Sequence, residues 1–122
     1  PPVLSVFVVN ETLKWIEELG GLIEMEKRNI KKADKLYAEI ERNSIFTSLV
    51  NKEDRSMMNI PFVHTDQSMD DNQFLLFCDE RGLKTLKGHR SVGGFRASLY
   101  NAMPEEGVDA LISAMQEFEN SK

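Results

Sequence analysis

Cysteine occurs once, at Cys78, so no disulfide can form within the chain and a cysteine-rich metal site is excluded. A basic surplus is missing too: 15 Lys and Arg stand against 20 Asp and Glu, a net charge of −5 with a pI near 5.1. That balance argues against a general nucleic-acid binder, which needs a basic face, and against attraction to an anionic membrane surface. It leaves room for a local basic pocket. No apolar run approaches the ~20 residues of a membrane-spanning helix. Pro2 to Val9 is apolar but short, without the basic flank and cleavage pattern of a signal peptide. There is no Gly-x-Ser-x-Gly elbow, no P-loop, no Gly-x-Gly-x-x-Gly and no His neighbouring the Cys. His64 and His89 do not make a metal-ligand spacing, so no metal site is expected. A reducing, cytoplasmic setting fits these features. The chain starts at Pro1 without an initiator Met and reads as a fragment or a mature form.

Its 122 residues suit one domain with its own core. A helix is expected from about Ser5, as cap, to Leu19, closed by Gly20-Gly21. Leu22 to Arg42 reads as a long second helix. Leu22, Met25, Asn29 or Ile30, Ala33, Leu36 or Tyr37 and Ile40 form its apolar stripe, with charges, Lys32 among them, on the other faces. Half of that helix could pack on something outside the domain. Phe7, Trp15 and Tyr37 lie on helical stripes and read as core. Ile45–Leu49 and Ser56–Val63 suggest strands, the second an edge strand or bulged because Pro61 lacks a donor. A third helix from about Asp70 to Arg81 turns Phe74, Leu75, Phe77 and Cys78 inward, and Gly82 stops it. Cys78 reads as a small buried hydrophobe, and His64, with no partner nearby in sequence, as surface. Phe95–Tyr100 is a further strand, and a fourth helix runs from Pro104 to about Glu119. The order predicts an α/β fold of the α+β sandwich type: a small, mostly antiparallel sheet covered by helices on one side.

The chemistry concentrates in Lys87-Gly88-His89-Arg90-Ser91-Val92-Gly93-Gly94-Phe95-Arg96-Ala97-Ser98-Leu99-Tyr100-Asn101-Ala102-Met103-Pro104. Period two puts Phe95, Ala97 and Leu99 on one face of the strand and Arg96, Ser98 and Tyr100 on the other. Arg96 thus has a rigid mount and a planar fork suited to a carboxylate. His89-Arg90, on a flexible glycine-flanked loop, could take a phosphate, with His sharing the proton load. The same residues would also suit a solvated loop, with Arg96 paired to one of the chain's many acids. The residues alone stop at a small-anion site without a catalytic group.

This stretch closely resembles the end of the phosphoserine aminotransferase family, class-V, fold-type-I enzymes that use pyridoxal phosphate. The likeness continues through Glu106-Gly107-Val108, Asp54-Arg55-Ser56, Met58-Asn59-Ile60-Pro61-Phe62, and from Pro1-Pro2 through Leu13-Lys14-Trp15 and Gly20-Gly21 to Met25-Glu26-Lys27-Arg28-Asn29. It implies that residues 1–122 form the C-terminal small domain of such a homodimeric enzyme, including an interdomain helix at about 22–42. It implies the interconversion of 3-phosphohydroxypyruvate and glutamate with phosphoserine and 2-oxoglutarate, in serine and for some members pyridoxine biosynthesis. By the same resemblance Arg96 binds the substrate α-carboxylate, and His89 and Arg90 bind the substrate phosphate across the dimer interface. The family's Schiff-base lysine lies upstream of this stretch. No catalytic or cofactor-binding residue is therefore expected in the chain, and the fragment alone is expected to be inactive, without bound cofactor. A free-standing small-anion regulatory domain and a structural or dimerisation fragment are the readings from other classes.

Overall fold

A computed structural model describes residues 1–122. Helix α1 (Val3–Glu18) leads into α2 (Gly21–Arg42), then β1 (Phe46–Thr47), a single 3-10 turn (Lys52–Asp54), β2 (Asn59–His64), α3 (Asp71–Asp79), β3 (Phe95–Ser98) and α4 (Glu105–Asn120). The strands form one antiparallel sheet in the order β1-β2-β3.

Apolar spacing decides which helices pack. Along α2, Met25, Asn29, Ala33, Leu36 with its neighbour Tyr37, and Ile40 recur every three or four residues and are buried. Along α4, Val108, Leu111, Met115 and Phe118 do the same. Alternation sorts the strands: Ile60 and Phe62 of β2 and Phe95 and Ala97 of β3 turn to the helices, while Pro61 and Arg96 turn away. Phe46 sits at the centre of the core, its ring 4.7 Å from Phe74, 5.5 Å from Phe62 and 5.9 Å from Phe95. These tilted and edge-on contacts each add about 0.5–1.5 kcal/mol beyond the area they bury. The Asp70 side chain caps α3 by accepting the backbone N–H of Asn72 at 3.0 Å. Cys78 is fully buried on α3, and burial pushes its thiol up to about 12, so it packs as a hydrophobe. Helices on one face of a small antiparallel sheet is the architecture the element order predicts.

Several expectations change. β2 is the central strand rather than an edge. Pro61 is tolerated there because its missing donor lies on the side where β1 has already ended at Thr47. His64 is 3% exposed rather than on the surface, because the alternation of β2 runs one residue beyond Val63 and turns His64 inward with Ile60 and Phe62. Its imidazole stacks on Phe46 at 5.2 Å and meets Phe95 edge-on at 5.0 Å. Burial lowers the pKa of His64, against the pull of Asp71, which lies 3.7 Å from Nε2. Ser5 caps nothing: α1 begins at Val3, after Pro2, with no side-chain cap. Tyr37 is buried as expected, but Phe7 is 59% exposed and Trp15 only half-buried. Unpartnered apolar surface lies on α1 and along the N-terminal half of α2, at Leu22, Ile23 and Ile30.

Candidate functional site

The site lies on the sheet face that no helix covers. Leu86 to Gly88 runs antiparallel to Gly94–Arg96: the Arg96 backbone N–H donates to the Leu86 carbonyl at 2.7 Å, that of Gly88 donates to the Gly94 carbonyl at 2.8 Å, and Lys87 bridges Phe95. Residues 89–93 are therefore the tip of a short hairpin, not a slack loop. Its glycines serve close packing. A Cβ on Gly88 would stand 2.1 Å from the Gly93 carbonyl oxygen, and one on Gly94 2.6 Å from Val63 Cγ1 at a φ of +63°.

Arg96 projects from β3 on the uncovered face and meets no acid. Lys27, Lys87, Arg90 and Arg96 are the cations that make neither an ion pair nor a side-chain hydrogen bond; the others are engaged. Three of those four fall between residues 87 and 96. Residues 81–104 contain no Asp or Glu at all, in a chain whose net charge is −5. That acid-free interval is a signal in the sequence that the alternation of β3 alone does not reveal. It explains why Arg96 stays unpaired.

His89 joins Arg96 in one shallow depression, walled by Leu49, Val50, Pro61 and Val63. The backbone N–H of Ser91 donates to His89 Nδ1 at 3.2 Å, with Ser91 Oγ 2.7 Å away. A neutral imidazole that accepts at Nδ1 carries its proton on Nε2, which is then free to donate to an anion. Arg90 does not line this depression and sits exposed at the hairpin tip. His89 and Arg96 thus border one depression, and Arg90 lies outside it.

Behind β3, Lys32 is 3% exposed and donates to the carbonyls of Tyr100 and Met103, both at 2.9 Å. Asn29 adds a bond to Asn101 Oδ1 at 2.8 Å. Together they fix the turn that leaves the strand carrying Arg96. Sequence reading put Lys32 on a charged face; it lies three residues after Asn29 and beside Ala33, on the buried side. Burial lowers its pKa. Because two carbonyls engage its ammonium, Lys32 is not available to a carbonyl cofactor, and no lysine lines the depression of His89 and Arg96. The residues here do not by themselves fit pyridoxal phosphate.

The family model described as aminotransferase class-V matches residues 1–111. Phosphoserine aminotransferases from Bacteroides fragilis and Phocaeicola vulgatus are 55% and 57% identical, each over 98% of this chain and 34% of the relative. Among solved structures, the pyridoxal-phosphate-bound phosphoserine aminotransferase of Trichomonas vaginalis is 49% identical with a TM-score of 0.89, over 95% of this chain and 33% of that one. The phosphoserine aminotransferase of Bacillus circulans subsp. alkalophilus is 42% identical with a TM-score of 0.94, over 99% of this chain and 34% of that one. The chain spans about a third of the length of the curated relatives it matches.

Proposed function

The chain belongs to the class-V aminotransferases, and from that premise we propose that it is the substrate-gripping small domain of a phosphoserine aminotransferase. The carrying observation is Arg96: a guanidinium on a rigid strand, exposed and with no acid to neutralise it, beside an apolar depression that His89 also borders. In this reading Arg96 takes the substrate α-carboxylate through its two-pronged fork. His89 and Arg90 take the other anionic end, the phosphate of phosphoserine or the side-chain carboxylate of glutamate, so that one basic site serves both half-reactions. In this reading both reach that end across the interface of a homodimer, which the exposure of His89 and Arg90 on the hairpin supports. Residues 1–122 then make up the small domain, with α2 as the interdomain helix.

Pyridoxal phosphate, bound in the Trichomonas vaginalis relative, supplies the electron sink in the full-length protein. Its lysine belongs elsewhere in that protein, as the engagement of Lys32 supports. The residues of this chain bind and orient the amino-acid and oxo-acid substrates, which lowers the entropic cost of reaction. The overall reaction interconverts 3-phosphohydroxypyruvate and glutamate with phosphoserine and 2-oxoglutarate, in serine and for some members pyridoxine biosynthesis. A cytoplasmic setting goes with that role; no helix is long and apolar enough to cross a membrane.

Two measurements test the reading. In the full-length protein, Arg96→Ala should raise KM for both glutamate and phosphoserine, since a charge-assisted hydrogen-bonded pair with the substrate is lost, costing roughly 1.5–3 kcal/mol. Unchanged constants would reject the carboxylate role. With the isolated chain, borohydride should trap no stoichiometric pyridoxal phosphate adduct; a trapped adduct together with turnover would reject the division of labour.

A further inference from the structure

We propose that Pro61 is a positioning residue for Arg96: it ends the β1–β2 ladder where the depression opens, and it lies beside Arg96 without competing for its donors. The inference deepens the proposed role of Arg96 and rests on it.

The register carries the case. The Leu99 backbone N–H donates to the Met58 carbonyl at 2.6 Å, while that of Arg96 turns the other way, to Leu86. Hydrogen-bonded and non-hydrogen-bonded pairs alternate along an antiparallel ladder. Ile60↔Ala97 and Phe62↔Phe95 are therefore the hydrogen-bonded pairs, and Pro61↔Arg96 is the close, non-hydrogen-bonded kind, with Cα atoms about 4.5 Å apart. The backbone nitrogen of residue 61 then points at β1.

On that side, Thr65 donates to the Ile45 carbonyl at 2.7 Å and Thr47 pairs with Val63. The next partner in register is Leu49 opposite Pro61. Proline has no N–H to give, and the ladder stops at Thr47. The chain leaves the sheet, and the Val50 N–H is satisfied locally by Ser48 Oγ at 3.2 Å. Leu49, Val50, Pro61 and Arg96 all border the depression that opens there.

The side chain matters as well. A cross-strand acid or amide at residue 61 would bond the guanidinium and occupy it. The pyrrolidine ring has no polar atom and no rotamers to lose. It leaves the donors of Arg96 free and narrows where the stem can lie.

The test uses the full-length protein with Pro61→Val and Pro61→Ala, either of which restores an N–H facing Leu49. KM for glutamate should rise about tenfold, with kcat within twofold, since loosening a binding group by a fraction of an ångström has effects of this order. An unchanged KM in either folded variant overturns the proposal. Hydrogen exchange gives an activity-independent reading: the new amide at residue 61 should be protected as a ladder bond, and fast exchange there overturns the ladder argument. Arg96→Ala run alongside separates the two levels. If it leaves KM unchanged, the carboxylate reading fails, and the ladder claim stands or falls on exchange alone. If Pro61→Val does not fold, Pro61→Ala decides.

Discussion

Helices α1 and α4 are each 16 residues long, and they differ in what they bury. α1 carries Val3, Leu4, Val6, Phe7, Val8, Val9 and Leu13, yet none of its residues is buried. α4 has fewer large apolar residues and buries five of its residues, Ala114 among them. The difference is one of arrangement. On α4 the apolar residues fall on a single stripe, backed by Glu106, Ser113 and Glu117 on the solvent side. On α1 they wrap most of the way round. A striped helix is written to pack on one side only, here against α2 and α3. A helix apolar on several sides belongs inside a larger body. Exposed apolar patches of this extent mark interaction surfaces.

Mutations can break that contrast. Phe118→Ala removes a ring 5.1 Å from Phe74 and should cost about 3–5 kcal/mol, read as a fall in the denaturation midpoint of the chain. Against a domain stability of about 5–15 kcal/mol, that is severe. A loss below 1 kcal/mol would mean that α4 does not anchor this core.

Beside it, His64 gives a pH test on the α4 side, since its ring also stacks on Phe118 at 6.3 Å. Burial puts its folded pKa below the unfolded value, so the folded state binds fewer protons. Stability is therefore full above about pH 6.5 and falls as the pH drops from there towards the folded pKa, by at most about 1.4 kcal/mol per pH unit. His64→Phe should flatten that acid-side slope in denaturation midpoints between pH 7 and 5; an unaltered slope would show that His64 titrates as an exposed residue.

The smallest effect is expected on α1. Phe7→Ser should change the stability of the isolated chain by no more than about 0.5 kcal/mol, as surface substitutions do, while reducing its self-association in sedimentation. If Phe7→Ser proved as costly as Phe118→Ala, the two helices would not differ as their burial says.

Much of this was readable before any coordinates. The period of α2 and α4 and the alternation of β3 follow from single-element patterning, and they put Arg96 on the uncovered face without further information. What escaped depends on relations between elements. That Pro61 can occupy a central strand is visible only once β1 is known to stop at Thr47. His64 reads as surface when β2 is taken to end at Val63, one residue short of its inward turn. Phe7 reads as core because no residue of this chain says which body α1 packs against. The glycines of the hairpin suggested slack, whereas Gly88 and Gly94 are there because neighbouring backbone leaves no space for a methyl group.

The sheet register also bears on the order in which the molecule assembles. Phe46 and His64, paired between β1 and β2, are 18 residues apart, whereas Phe62 and Phe95, paired between β2 and β3, are 33 apart. By the logarithmic dependence of chain closure on length, the second pairing costs about 0.5 kcal/mol more entropy than the first. It also has to wait for α3, which lies inside that loop. The strand that carries Arg96 is therefore expected to dock after the folding nucleus. φ-values near zero for Ala97→Gly, beside clearly higher ones for Phe46→Leu, would bear this out; the reverse order would place the substrate grip inside the nucleus.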